Sequence, residues 1–196
     1  MTVGSCVSDN TLRYIVLSPV ASINQTMLLT QRPTLQNDLV RVRPLVPADR
    51  EPLYLIARDR LLWEQHQCPD RHERHVFDKF FDDGVLSMKA FTIEDRASGR
   101  VIGSTRIREL TDGVTEIGWT YLDRSLWGTD YNKSMKDLLI GYIFEQGKDV
   151  LFYVNQCNVR SQKAVGKLGA KQILDADHPL FAKEEDGMSF ILHRPV

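Results

Sequence analysis

The sequence predicts a mixed α/β (α+β) fold, with a central, mostly antiparallel sheet, one β-α-β unit and flanking helices. Short segments of alternating apolar and polar residues, separated by turn signals such as Ser98-Gly99, indicate antiparallel strands joined by hairpins. Residues 135–143 carry apolar side chains at helical spacing, and residues 150–154 form a continuous apolar run. Such a run is typical of a strand buried on both faces, so we expect these two segments to complete the β-α-β unit.

Composition excludes several classes of protein. The chain has 196 residues, of which 42% are hydrophobic, enough to bury a core without disulfides or metals. Lys and Arg number 25 against 26 Asp and Glu, so no basic excess exists for nonspecific nucleic-acid binding. No apolar run approaches the length of a membrane span. The three cysteines, Cys6, Cys68 and Cys157, are widely spaced, which favours a reducing, cytoplasmic location.

Residues 1–38 differ from the rest of the chain, because they are rich in Ser, Thr, Asn and Gln. We expect an N-terminal arm that is partly extended or flexible, with a turn-type cluster at residues 33–38 before the folded domain of residues 39–196. The arm, or an exposed strand edge of the domain, offers a surface on which two copies could form a homodimer.

The first half of the domain should contain one strand, two helices and three further strands. Residues 39–45 alternate apolar and basic side chains, as a half-buried strand does. A helix is expected from Pro47 to about Trp63, and a second one around Phe77 that ends near Gly84. Strands follow at residues 89–95, 101–108 and 114–122. Strict alternation in the third strand puts Glu116, Gly118 and Thr120 on one face, and Ile117, Trp119 and Tyr121 on the other.

The second half begins with the helix around residues 135–143 and the strand at residues 150–154. A short helix over residues 159–168 should end at Gly169, a residue type favoured just after helix ends. Two closing strands are expected at residues 171–174 and 188–193.

Two segments could carry chemistry. Trp127-Gly128 opens a turn that leads into a helix N-terminus, where free backbone N–H groups favour anions. The later helix carries a spaced motif, formed by Asn158, Ser161, Ala164, Leu168, Gly169 and Ala170. With the strand motif Glu-Ile-Gly-Trp at residues 116–119, these segments resemble the GCN5-related N-acetyltransferase (GNAT) superfamily, within it the branch that acetylates the N-termini of ribosomal proteins. The resemblance covers about residues 39–196.

This resemblance implies direct transfer of an acetyl group from acetyl-CoA to a primary amine, with no metal. In the family the sheet splays open between the strands at residues 114–122 and 150–155, and pantetheine lies in that gap. The pyrophosphate lies on residues 127–133. The implied cofactor-binding residues are Thr120, Tyr121, Leu122, Trp127, Gly128, Thr129, Asp130, Tyr131, Asn132, Lys133, Asn158 and Lys163.

Two side chains are candidates for proton transfer. Glu116 would be the general base, acting directly or through water; the alternative is an ordinary exposed or salt-bridged strand residue. Ser161 matches the family serine proposed to protonate the departing thiolate, and Tyr153 is a rival donor. Either could instead be structural, Ser161 as a first-turn helix residue and Tyr153 as core.

The sequence departs from the family at Asp130, where a glycine is usual. A side chain here could cap the helix and compete with phosphate for the same N–H groups, although Lys133 and Lys136 could offset its charge. The alternative is that the chain keeps the GNAT fold with weakened catalysis and acts as a binding or regulatory module.

The acceptor stays open between a protein N-terminus and a small-molecule amine. Residues 66–75 contain His66, Cys68, His72, Glu73 and His75, which resemble metal ligands. Neighbouring Arg71 and Arg74 disfavour a cation, so we expect this stretch, with Tyr54 and Trp63, to line the acceptor groove. A plain interhelix loop is the other interpretation.

Overall fold

The computed structural model describes residues 32–111, 113–176, 178–180 and 186–195. The strands are β1 (Leu35–Gln36), β2 (Val40–Pro44), β3 (Ala90–Asp95), β4 (Val101–Thr111), β5 (Val114–Leu122), β6 (Asp149–Asn155), β7 (Lys171–Gln172) and β8 (Gly187–Leu192). The helices are α1 (Arg50–Ala57), α2 (Arg74–Ser87), α3 (Tyr131–Glu145) and α4 (Val159–Lys167). Residues 1–31, most of the predicted arm, lie outside the described residues, and the boundary after Asp38 stays a prediction.

One sheet of eight strands organises the domain, in the order β1-β2-β3-β4-β5-β6-β8-β7. Every neighbouring pair is antiparallel except β5 and β6, which are parallel and are connected through α3. A parallel pair needs such a crossover, whereas antiparallel neighbours can be joined by short turns. The predicted mixed fold with one β-α-β unit is therefore confirmed.

Helices cover both faces of the sheet, and each face has its own core. Ala90 and Phe91 are neighbours in β3, yet they belong to different apolar clusters, as strand alternation requires. Phe91 packs in the cluster that contains Leu139 of α3, while Ala90 packs with Leu53 of α1 and Phe77 of α2. Helices α1 and α2 therefore cover one face of the sheet, and α3 covers the other.

The first helix is shorter than predicted. It ends at Ala57 because the side chain of Asp59 accepts a hydrogen bond from the N–H of Leu61 at 3.0 Å and starts a separate 3-10 turn, Arg60–Leu62. Trp63 remains buried, and its indole N–H donates to the carbonyl oxygen of Ala57 at 2.6 Å. This bond satisfies a carbonyl that the helix end would otherwise leave unpaired.

The second helix is longer than predicted, because Gly84 lies inside it and does not end it. A Cβ atom at Gly84 would lie 2.9 Å from the guanidinium of Arg106, so glycine allows α2 to approach the sheet closely. The helix continues to Ser87 and ends at Met88 in a left-handed conformation. The first closing strand is also shorter than predicted, since pairing stops at Gln172.

A β-bulge breaks the alternation of β5. Ser104 pairs with Tyr121 and Arg106 with Gly118, so β5 carries one residue more than β4 between these pairs. Within the bulge, Trp119 has a φ of +53°, which is unusual for a bulky residue. Tyr121 consequently joins the α1–α2 core, and the predicted common face for Ile117, Trp119 and Tyr121 is wrong.

In the part of the chain that the structure describes, no helix combines the length and the apolar character needed to cross a membrane.

Candidate active site

The sheet opens between its two parallel strands. β5 and β6 pair only over their first residues, from Val114 with Asp149 to Glu116 with Leu151. Beyond this point β6 stays paired with β8 as far as Asn155, while the bulge at Trp119 redirects β5. The result is a wedge-shaped gap in the middle of the sheet, at the carboxyl ends of both strands.

Two cavities meet at this opening. The gap cavity, about 430 Å³, is lined by residues 116–120 of β5, residues 152–155 of β6 and the side chains of Arg71 and Arg108. The α3 cleft, about 600 Å³, is lined by residues 120–122, residues 126–130 and the start of α4. The residues that line both cavities are His66, Thr120, Lys136, Asn158 and Ser161.

The far end of the α3 cleft is built by a helix N-terminus. Gly128 has a φ of +78°, which glycine adopts without strain, and the turn around it leads directly into α3. The N–H of Ser134 donates to the carbonyl of Asp130, but the N–H groups of residues 130–133 have no acceptor among the described residues. Unpaired amides at a helix start attract anions, and the helix dipole adds to that attraction.

Cationic side chains surround the same end of the cleft. The guanidinium of Arg160 lies 3.6 Å from the ring centre of Trp127, and its NH2 group donates to the carbonyl of Leu62 at 3.3 Å. Lys163 and Lys167 of α4 also line the cleft. The cleft therefore offers backbone donors at one wall and positive charge at the other, which suits a diphosphate group.

Comparison with known proteins agrees with this geometry. A family model described as "Acetyltransferase (GNAT) domain" matches residues 40–171. The chain belongs to the GNAT acetyltransferase family. No curated protein sequence matches the chain.

Solved structures of GNAT proteins share the fold. A GCN5-related N-acetyltransferase from Brucella melitensis has a TM-score of 0.69 at 21% identity, covering 83% of this chain and 79% of that chain. RimJ from Mycobacterium smegmatis, in complex with CoA-disulfide, has a TM-score of 0.58 at 16% identity, covering 82% and 85%. PaiA N-acetyltransferase from Thermoplasma acidophilum, in complex with coenzyme A, has a TM-score of 0.58 at 14% identity, covering 79% and 98%.

The GNAT domain brings together all but one of the twelve sequence-predicted cofactor residues. Eleven line the α3 cleft. The exception is Tyr131, whose hydroxyl donates to the carboxylate of Asp95. This bond raises the pKa of Tyr131, and with the bonds from Ser98 it lowers the pKa of Asp95 to about 2. Tyr131 therefore anchors the start of α3 to the β3–β4 turn.

Asp130 could have capped α3 and competed with a ligand for the helix amides, but its side chain does not do so. Its backbone stands at the cap position, yet its carboxylate makes no capping hydrogen bond. The side chain is exposed at the mouth of the cleft. Lys133 does not offset this charge, because it pairs with Asp137 at 2.6 Å. The N–H groups of residues 130–133 therefore have no acceptor from this side chain, and its carboxylate adds negative charge at the mouth of the cleft.

Asn158 caps α4, as its position in the motif predicts. Its side-chain oxygen accepts the N–H of Ser161 at 3.0 Å. The capped turn sits where the two cavities join, so the Ser161 side chain lines both. Tyr153, the rival proton donor, lines only the gap cavity.

Glu116 is buried at the edge of the gap cavity, with 4% of its surface exposed. Its Oε2 atom accepts from Nε of Arg108 at 2.8 Å and forms an ion pair with the NH2 group of that arginine at 2.7 Å. Gly118 makes room for the carboxylate, because a Cβ atom there would lie 3.0 Å from Oε1. Glu116 is thus both salt-bridged and placed at the site, so its two sequence interpretations are compatible.

Three residues of the acceptor stretch have structural partners and do not gather around a metal. His66 Nδ1 accepts the N–H of Cys68 at 3.0 Å, and His72 Nδ1 lies 2.9 Å from the carbonyl of Pro69. His66 lines both cavities, and burial together with Arg71 lowers its pKa to about 4. Within the described ranges, no three His, Cys, Asp or Glu side chains form a group that could hold a metal ion.

Arg71 and Lys136, which the sequence analysis treated only as nearby charges, are buried and line the cavities. Arg71 is buried against Trp63 and Phe80, with its guanidinium 5.1 and 4.1 Å from the two ring centres. Lys136 is buried against Phe152, with Nζ 4.6 Å from the ring centre. A signal for Lys136 was present, because it stands three residues before Leu139, a position of the apolar α3 pattern, and neighbours it on the helix surface.

Proposed function

We propose that this GNAT domain binds acetyl-CoA in the α3 cleft and transfers its acetyl group to a primary amine presented at the gap cavity. The observation that carries the proposal is the set of unpaired amides at residues 130–133, at one end of a cleft that opens into the gap at its other end. A diphosphate on the amides would place the thioester end of the molecule toward the gap.

Residues of the site divide into those that hold the donor and those that act on the acceptor. The amides of α3, with Lys163 nearby, would hold the diphosphate, and Asn158 would contact the pantetheine arm at the junction of the cavities. Backbone N–H groups of β5 beside the gap would polarise the thioester carbonyl, a form of electrostatic stabilisation. Bound acetyl-CoA supplies the activated acetyl group.

Glu116 would accept the proton that the amine must lose before it attacks, directly or through one water molecule. The Arg108 contacts fix its carboxylate in place, and Gly118 keeps space around Oε1. Ser161, which lines both cavities, would donate a hydrogen bond to the sulfur atom. No covalent acetyl-protein step is needed, since the amine attacks the thioester directly.

The acceptor we propose is a protein N-terminus or a small-molecule amine. Its entrance would be formed by the stretch from Trp63 to His75, since His66, Gln67 and Arg71 line the gap cavity. The sequence likeness to the ribosomal-protein branch supports the peptide acceptor. We place the reaction in the cytoplasm, which agrees with the free thiols of Cys68 and Cys157.

Calorimetric titration of the full chain with acetyl-CoA and with CoA tests the donor site. We expect micromolar affinity for both, followed by product formation in a mass-spectrometric screen of peptides and small amines. Glu116→Gln should then lower kcat about 100-fold and remove the acidic limb of its pH profile, because general bases contribute roughly that much. An unchanged rate and profile in this variant would refute Glu116 as the base.

The alternative, a GNAT-fold module without catalysis, is favoured by one observation, the exposed negative charge of Asp130 in the cleft. Absence of binding at millimolar acetyl-CoA would support it. In that case Asp130→Gly would be the first variant in which to look for restored binding.

A further inference from the structure

A lysine without a counterion lies in the wall between the two cavities. Lys136 belongs to α3, and only 6% of its surface is exposed. The face of Phe152 is its neighbour, and in the described part of the chain no carboxylate lies within 4.0 Å of Nζ and no hydrogen bond is made by it. Burying a charge without a partner is costly, so a structural purpose alone does not explain this residue.

Lys136 lies at the junction of the two cavities, defined here by the residues that line both of them. It lines both the gap cavity and the α3 cleft, together with Thr120, Asn158, Ser161 and His66. The first three are uncharged side chains, and His66 is neutral near pH 7 because its pKa is lowered to about 4. Among the described side chains that line both cavities, Lys136 is therefore the one that carries a charge near pH 7.

Among the described residues that line the two cavities, no carboxylate forms an ion pair with Lys136. On the gap side, Glu116 is engaged by Arg108, and Arg71 adds a further cation. On the cleft side, Lys133 is engaged by Asp137, and the exposed Asp130 stands at the mouth. The remaining cations of the cleft are Arg160, Lys163 and Lys167. Among the described residues the Lys136 ammonium has no anionic partner, so it is free to pair with an anionic ligand.

In the proposed reaction, acetyl transfer generates one anion, the thiolate of CoA, which would lie where the two cavities meet. We propose that Lys136 is a catalytic acid whose ammonium pairs with this sulfur atom as the acetyl carbon–sulfur bond breaks and donates a proton to it. This inference rests on the proposed function.

The step balances. The amine nitrogen forms the bond to the acetyl carbon, the electron pair of the broken bond stays on sulfur, and a proton moves from Nζ to sulfur to give the free thiol. The proton lost by the amine goes to Glu116 or its water, and Lys136 regains a proton from solvent. The products are the amide and CoA.

The acidity of Lys136 suits this role. Burial lowers its pKa to about 8 from 10.5, and an ordinary thiol has a pKa of about 8.5. Proton transfer is most efficient between groups of similar pKa that lie near the working pH. The hydroxyl of Ser161 is a far weaker acid, so Lys136 is the better donor, and Ser161 is left with a hydrogen bond to sulfur.

The test needs no acceptor, because it uses CoA itself. Thiolate absorbance of protein-bound CoA is titrated with pH in the unmodified protein, in Lys136→Met, and in Lys171→Met as a matched control on exposed β7. We expect the thiol of bound CoA to ionise at least one pH unit lower than free CoA in the unmodified protein and the control. In Lys136→Met, which keeps the length of the side chain without its charge, the pKa should return to that of free CoA or rise.

Outcomes of this titration separate the inference from the proposed function. If CoA binds and its thiol pKa is the same in the unmodified protein and in Lys136→Met, the role of Lys136 is refuted and the donor site stands. If CoA fails to bind, the role of Lys136 and the proposed function are both refuted.

A second variant distinguishes proton donation from charge alone. With an acceptor in hand, Lys136→Met should lose at least about 100-fold in kcat, in line with general acids, while its affinity for CoA changes less than about threefold. Lys136→Arg keeps the charge but is a poor proton donor, so it should retain the lowered thiol pKa without recovering kcat. Full kcat in Lys136→Arg would overturn proton donation.

Discussion

Replacing Lys136 with Met should make the protein more stable, by an amount that depends on pH. Burial lowers the pKa of this lysine from 10.5 to about 8 in the native state, while the unfolded chain keeps the ordinary value. One pKa unit corresponds to about 1.4 kcal/mol, so the buried ammonium lowers the free energy of unfolding by about 3 kcal/mol at pH 7, where both states are protonated.

The sign of the pH dependence follows from the same two values. Between pH 8 and 10.5 the native state has released this proton and the unfolded state still holds it. Stability rises with pH wherever the unfolded state binds more protons, so the cost fades across this window and is gone above it. The advantage of Lys136→Met should therefore be largest below pH 8 and smallest near pH 10.5.

Urea unfolding of the unmodified protein, Lys136→Met and Lys171→Met at pH 7, 8, 9 and 10 measures this difference. Subtracting the curves removes the contributions of other titrating groups, because they are common to all three proteins. We expect the exposed Lys171 to contribute nothing measurable at any pH. A gain that is equal at pH 7 and pH 10, or a loss of stability at pH 7, would show that Lys136 is not a desolvated charge in the native state.

Three further substitutions, two of them paired with a second variant for comparison, test the site and the fold. Gly128→Asp adds negative charge beside the free amides and should weaken acetyl-CoA binding at least about tenfold by calorimetry. Gly147→Asp has a similar positive φ, +75°, just beyond the opposite end of α3, and should leave the affinity unchanged. Asp130→Asn should tighten binding about threefold at low salt and less at high salt, and equal affinity would show that this charge is irrelevant. Gly103→Ala should lower the free energy of unfolding by about 3 kcal/mol, because its Cβ would collide with the carbonyl oxygen of Tyr121. Gly141→Ala, on the open side of α3, should raise it by about 1 kcal/mol. Similar denaturation midpoints for these two variants would contradict the packing.

The strands and helices of this domain are largely visible in the sequence, because their signals are local. The periodicity of residues 135–143 reflects one buried face of α3, and the apolar run at residues 150–154 reflects a strand covered on both faces. The cleft could also be predicted from the sequence, since the turn at Gly128 and the motif from Asn158 each mark a helix start.

Features that depend on the particular partner of a side chain or of a strand could not be predicted from the sequence. The bulge at Trp119 is defined by the register of β5 against β4, which alternation within β5 alone cannot reveal. The end of α1 is decided by Asp59 and by the indole of Trp63, which binds a carbonyl six residues earlier. The partner of Glu116 is likewise a residue of the neighbouring strand, Arg108. Sequence reasoning named the carboxylate but could not identify what holds it.

Only three residue pairs join β5 to β6, so the sheet consists of two half-sheets that meet along a short seam, residues 114–116 paired with residues 149–151. Along the seam, amides of β5 beyond Glu116 have no strand on that side to protect them, so they should exchange with solvent hydrogen faster than amides deep within either half-sheet. A molecule that fills the gap and forms hydrogen bonds with both strands would connect the two half-sheets and stabilise them. Slower hydrogen exchange at residues 117–122, and a melting temperature that rises with ligand concentration, would then report occupancy of the gap before any acceptor is known.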